Sequence, residues 1–135
     1  MDAIRVLLVD DEVDFTAPLA KRLSRRGLDV TRASCAAEAL DVLGSVDMDV
    51  VLLDIKMPAK DGVNTLGEIR RLYPHIGVVM LTAHVDPNIV IACLGMGAFR
   101  YLVKPSAVDE LEEAIRAAAN NGNKGHGRSR AETTE

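Results

Sequence analysis

Asp10-Asp11-Glu12, Asp54, Thr82 and Lys104-Pro105 each follow a short apolar run. An acid pair alone would be no more than a favourable start to a helix. As a set, these residue types suggest chemistry. Carboxylates gathered in one place repel one another, and their pKa values rise unless a cation sits among them. Hard oxygen ligands with room for water suit Mg2+. A lysine opposite the acids adds a second positive charge, and a threonine hydroxyl adds a hydrogen bond. Acid, Mg2+, Lys and Thr are what is needed to place a phosphoryl group on a carboxylate. The aspartate is the nucleophile, and the cations screen charge on the transferring group.

These residues are far apart along the chain, so a scaffold must gather them. Residues 4–9, 28–33, 50–53, 77–81 and 101–103 read as strands. Three are near-continuous Val/Leu/Ile runs, as expected where both faces of a sheet are covered. Helix-period segments lie between them. Phe15, Leu19 and Leu23 mark one face of the first, which stops at Arg25-Arg26-Gly27 and has Pro18 in or near its first turn. Ser34 is expected to cap a helix over residues 36–43, and Asp61-Gly62 to open one ending near Leu72. Asp86 caps a fourth helix with Pro87 at its first position. Residues 106–120 form the last, with Leu111, Ala114, Ile115 and Ala118 on one face. Strict alternation predicts one α/β domain over residues 1–120, a doubly wound parallel (βα)5 sheet with helices on both faces. Such sheets bind ligands beyond the carboxyl ends of their strands. Four of the five strands deliver an acid, a hydroxyl or a cation to that edge; the second, ending Ala33-Ser34, offers little. If the first and third strands are neighbours, Asp10, Asp11 and Asp54 converge. Residues 121–135 are polar and Gly-rich and are expected to form a flexible tail.

Composition narrows the class. The 135 residues suit one domain, and 48% apolar with 27% charged residues describes a core with a solvated surface. No uncharged stretch reaches the roughly 20 residues that span a bilayer. The start Met-Asp-Ala lacks the basic region of a secretory signal. A cytoplasmic location with no membrane partner is expected. Sixteen basic against 20 acidic residues give a net charge of -4, which argues against direct nucleic-acid binding. Two Tyr, two Phe and no Trp leave little to stack on bases. Cys35 and Cys93 lack metal-type spacing and read as buried thiols.

Five motifs stand in register: residues 6–12 (Val-Leu-Leu-Val-Asp-Asp-Glu), residues 50–62 (Val-Val-Leu-Leu-Asp-Ile-Lys-Met-Pro-Ala-Lys-Asp-Gly), Thr82-Ala83, Gly97-Ala98 and residues 101–105 (Tyr-Leu-Val-Lys-Pro). Over about residues 4–119 the chain resembles the receiver domain of two-component response regulators. The resemblance implies a flavodoxin-like sheet with strand order 2-1-3-4-5. It implies that Asp54 accepts a phosphoryl group from a phosphohistidine on a sensor histidine kinase or phosphotransfer protein. Asp11, Asp54 and the Lys56 backbone carbonyl would ligate Mg2+, with Asp10 acting through a bound water. Lys104 would pair with phosphoryl oxygens, in a chain with a cis Lys104–Pro105 peptide. Thr82 would turn toward the phosphate and Tyr101 would pass from an outward to a buried rotamer. That shift would remodel the face of the fourth helix, fifth strand and fifth helix for a downstream protein effector. Self-catalysed phosphoryl transfer and autodephosphorylation are the only reactions implied. Lys56 and His84, two residues beyond Asp54 and Thr82, are tuning positions, and Lys56 is expected to prolong the phosphorylated state.

Some positions depart from the common pattern. Arg100 stands where an acid is frequent, and Ser106 where Phe is. The fourth helix is uncharged after its cap. Val90, Cys93, Leu94 and Gly97 fit a core stripe, which turns Ile89, Ala92 and Met96 partly outward. That apolar strip reads as a docking or homodimer surface. Two other readings stay open. A Mg2+-dependent phosphatase with an Asp nucleophile commonly carries a second acid two residues later, where this chain has Lys56. A phosphorylation-independent interaction module of this shape typically lacks an acid or the lysine, and here all are present.

Overall fold

The computed structural model describes residues 3–54, 59–83 and 86–134, the side chains of 59–61 and 122–134 excepted. Strands and helices alternate as β1 (Arg5–Val9), α1 (Val13–Arg25), β2 (Asp29–Ala33), α2 (Ala36–Ser45), β3 (Val50–Leu53), α3 (Ala59–Leu72), β4 (Gly77–Thr82), α4 (Pro87–Gly95), β5 (Arg100–Val103) and α5 (Val108–Thr134). The strands form one parallel sheet in the order β2-β1-β3-β4-β5. Val9, Leu53, Met80 and Tyr101 share one row, so β1 and β3 end there while β4 and β5 run two residues further, to the paired Thr82 and Val103.

Period-2 alternation divides the apolar residues between two core layers. Leu7, Val9, Val51, Leu53, Val78 and Met80 pack beneath α2, α3 and α4 against Leu43, Leu66, Ile69 and Cys93. Val6, Leu8, Val50, Leu52, Val79 and Leu81 pack beneath α1 and α5 against Leu19, Leu23, Leu111 and Ile115. Each such buried side chain contributes about 1.5–3 kcal/mol, and together they make the sheet a rigid mount for whatever stands at its edge. Gly27, at φ 89, ends α1, with the Leu28 N–H donating to the Leu23 carbonyl at 3.3 Å.

Several local expectations need correction. Pro18 lies well inside α1, not in its first turn. It faces solvent, where water can serve the carbonyl its missing N–H leaves behind. Ser34 does not cap α2. The N-cap residue is Cys35, and Glu38 reaches back to accept from the Ser34 N–H at 2.6 Å and the Ser34 hydroxyl at 3.0 Å. Cys35 is therefore exposed; only Cys93 is the buried thiol expected of both. The third helix opens at Ala59, before Asp61-Gly62. On α4 the inward pair is Ile89 and Cys93, while Leu94 is 46% exposed beside Ile91 at 67% and Met96 at 39%. An uncharged helix carries apolar residues all round, so its pattern did not fix which side faces in. The last helix, α5, begins at Val108, not Ser106.

Candidate functional site

The carboxyl ends of β1, β3, β4 and β5 bring four of the expected residues together. Asp10 follows β1 with its side chain only 2% exposed. Its Oδ1 accepts from the Glu12 N–H at 2.9 Å and its Oδ2 from Lys104 Nζ at 2.6 Å. Asp54 follows β3 with its side chain 6% exposed and its Oδ2 3.5 Å from the same ammonium. Thr82, fully buried at the end of β4, donates its hydroxyl to Asp54. Lys104 is anchored by its backbone N–H, which donates to the Thr82 carbonyl at 2.8 Å. The Lys104–Pro105 peptide is cis.

Two residues at this site were not singled out from sequence. Glu12 accepts from Lys104 Nζ at 3.0 Å, and the Phe15 ring lies 4.2 Å from that nitrogen. Glu12 was legible only as the third acid of a run, and Phe15 only as part of a helix face. Both occupy the start of α1, which folds directly over the end of β1. Asp11 is exposed and outside the carboxylate cluster. It lines a cavity of about 470 Å3 shared with Asp10, Asp54, Cys35 and Thr65. Chain direction explains the split, since consecutive residues leaving a strand point to opposite sides. Tyr101 is half-buried and packs on the α2–α4 side of the sheet. Lys56 and His84 lie outside the described residues.

The electrostatics follow from this packing. Burial, then the charge of Asp10, pushes the Asp54 carboxyl above its ordinary pKa, against the pull of Thr82 and Lys104. Burial opposes the Lys104 ammonium, yet its bonds to Asp10 and Glu12 and the nearby Asp54 raise its pKa overall. Burial also raises the Tyr101 phenol. Carboxylate oxygens of Asp10, Glu12 and Asp54 all lie within 4.8 Å of one another. Three carboxylates and one ammonium leave an excess of negative charge that a divalent cation would neutralise. An all-oxygen donor set beside an open cavity fits Mg2+.

A doubly wound parallel sheet with acids, a hydroxyl and a lysine at its carboxyl edge defines a class of α/β domain that handles a charged ligand where strand order reverses. Within that class, the chain belongs to the response regulator receiver domain family of two-component systems, whose profile matches residues 6–116. It is 35% identical over 116 residues to the DNA-binding transcriptional regulator NtrC of Escherichia coli, covering 86% of this chain and 25% of that protein. It is 42% identical over 120 residues to the probable transcriptional regulator ycf27 of Guillardia theta, covering 89% of this chain and 47% of that protein. The chain thus spans about a quarter to a half of these curated relatives. Among solved structures, a CheY-like receiver domain protein from Methanospirillum hungatei superposes with a TM-score of 0.85 at 27% identity, over 91% of this chain and 98% of that one. A receiver domain protein from Clostridium thermocellum gives 0.81 at 34% identity, over 89% and 97%. The flavodoxin-like strand order expected from the motifs is the one observed. Among the described residues, no helix is long and apolar enough to cross a membrane.

Proposed function

We propose that Asp54 accepts a phosphoryl group from a phosphohistidine of a sensor histidine kinase or phosphotransfer protein. One observation carries this reading: the Lys104 ammonium stands between Asp10 and Asp54 in a buried acidic site, with the Thr82 hydroxyl on Asp54. An Asp54 carboxylate oxygen attacks phosphorus. The new O–P bond forms as the N–P bond breaks, and the leaving imidazole nitrogen keeps the electron pair and takes up a proton. Asp11 and Asp54, which line the same cavity, with the Lys56 carbonyl that the family pattern supplies and Asp10 acting through a bound water, would hold Mg2+. When bound, the ion screens charge on the transferring group. Lys104 screens the same charge from the other side, and Thr82 passes its hydrogen bond from the carboxylate to a phosphoryl oxygen. Tyr101 then settles further inward, and the face of α4, β5 and α5 presents a changed surface to a downstream protein or a second copy of the chain. The domain catalyses its own phosphorylation and slower hydrolysis, and turns over no metabolite.

Incubation with acetyl phosphate or a phosphorylated kinase in Mg2+, read by intact mass, tests this. The wild type gains one phosphoryl group and Asp54→Ala gains none. Lys104→Ala is labelled at least about tenfold more slowly, as loss of a charge-stabilising donor predicts. An unlabelled wild type overturns the reading in favour of the phosphorylation-independent module.

A further inference from the structure

Lys104 is shared among three carboxylates that differ in how easily they can let go. An ammonium has three N–H donors and no more. In the structure these point toward Asp10 at 2.6 Å, Glu12 at 3.0 Å and Asp54 at 3.5 Å. The Phe15 ring covers the ammonium at 4.2 Å, which keeps that side from water. The donor aimed at Asp54 passes to the phosphoryl oxygen, but from 3.5 Å the ammonium must move to close on it, so it must loosen from Asp10 or from Glu12. Asp10 is poorly suited to let go, because its side chain is almost wholly buried and would be left with an uncompensated charge. Glu12 has a side chain 48% exposed, and water can replace what it loses. Its backbone stays fixed meanwhile: its N–H is bonded to Asp10, and its carbonyl accepts from the Phe15 and Thr16 N–H groups at 3.0 and 2.9 Å.

We propose that Glu12 is a positioning residue that parks Lys104 in the resting state and surrenders it when the phosphoryl group arrives. Glu12 thereby sets the bias between the two states of the domain. It holds the ammonium back from the phosphoryl oxygens, and its charge opposes theirs. A ligand shifts a two-state equilibrium only by its difference in affinity for the two states, so removing that hold strengthens the phosphoryl state directly. The inference rests on Asp54 being the acceptor.

The test is calorimetric titration with beryllium trifluoride, a phosphoryl mimic, at saturating Mg2+. Glu12→Gln keeps the size and removes the charge. Glu12→Asp keeps the charge and withdraws it from Nζ. Both are expected to bind the mimic at least threefold more tightly than wild type, Glu12→Gln by more. In a Lys104→Met background the Glu12→Gln gain vanishes, because the pair is then already broken. A structural role for Glu12 would move the melting temperature but not produce this coupling. Unchanged binding, an effect confined to Glu12→Gln, weaker binding of the kind a lost metal ligand would give, or a gain that survives in Lys104→Met overturns the proposal. If the wild type binds no mimic at all, the acceptor reading falls first and the latch with it. Normal wild-type binding with no Glu12 effect sinks only the latch.

Discussion

Asp54 is pulled two ways. Burial and the charge of Asp10 favour its neutral form, Thr82 and Lys104 favour the anion, and the balance leaves its pKa above the ordinary value. A raised carboxyl in the folded state binds a proton that the unfolded chain has already lost. Stability therefore falls as pH rises from the unfolded value through the folded one, and the full cost is present above both. In metal-free protein, Asp54→Asn should remove that cost. At pH 7 it is expected to be more stable than wild type, read as a higher Tm. The advantage shrinks below about pH 4, where the unfolded carboxyl is protonated too. Thermal melts in a chelator across that range check it, and equal Tm values at pH 7 would count against the described burial. Mg2+ should reverse the order. An ion that binds only the folded state adds about 2.7 kcal/mol at a hundredfold excess over its Kd. The wild type gains it and Asp54→Asn, lacking a charged ligand, gains much less.

Helix placement governs the next scale, and Gly77 shows how tightly. A Cβ on this first residue of β4 would stand 2.8 Å from the Ala118 carbonyl oxygen and 3.0 Å from the Ala118 Cβ on α5. Both belong to or adjoin rigid backbone, so Gly77→Ala must push α5 off the sheet. A loss of about 1–3 kcal/mol is expected, read as a lower denaturation midpoint in urea. By contrast, Gly67→Ala meets only the flexible end of Met96 and should cost far less. The elements themselves were largely legible. Apolar runs gave the strands to within a residue or so, because a strand buried on both faces must be apolar throughout. Asp10, Asp54, Thr82 and Lys104 were legible as a set because each ends such a run. What sequence did not show depended on orientation within an element. A run of three acids could not tell that Glu12 folds back to bond Lys104. Cap patterns could not tell that Glu38 reaches back to Ser34, which leaves Cys35 exposed. Nor could periodicity orient α4, where neither face is polar.

Across the whole molecule, helices cover both sheet faces, so a partner other than the phosphoryl donor meets mainly outer helix surface. Ion pairs there, such as those joining Arg26 of α1 to Asp109 and Glu112 of α5, tie helices together without forming a sticky face. The α4–β5 side differs. Ile91, Leu94, Met96 and Val103 are all at least 39% exposed, and α4 carries no charged side chain after its cap. Tyr101 lies on the strand beside them, so a change begun at Asp54 and Thr82, if the proposed switch holds, would reach this surface through one sheet edge. If the strip serves recognition, removing its apolar character should leave the fold and the acid site intact. Ile91→Ser combined with Leu94→Ser is expected to change stability by no more than about 0.5 kcal/mol per site, because neither side chain supports the core. The same pair should leave phosphoryl-mimic affinity unchanged. Sedimentation velocity with and without beryllium trifluoride then separates recognition from folding. Wild type is expected to self-associate when the mimic is bound, and the double variant to stay monomeric. A large drop in Tm instead would mean that α4 sits deeper against its neighbours than its exposed side chains indicate, and that the strip is core, not interface.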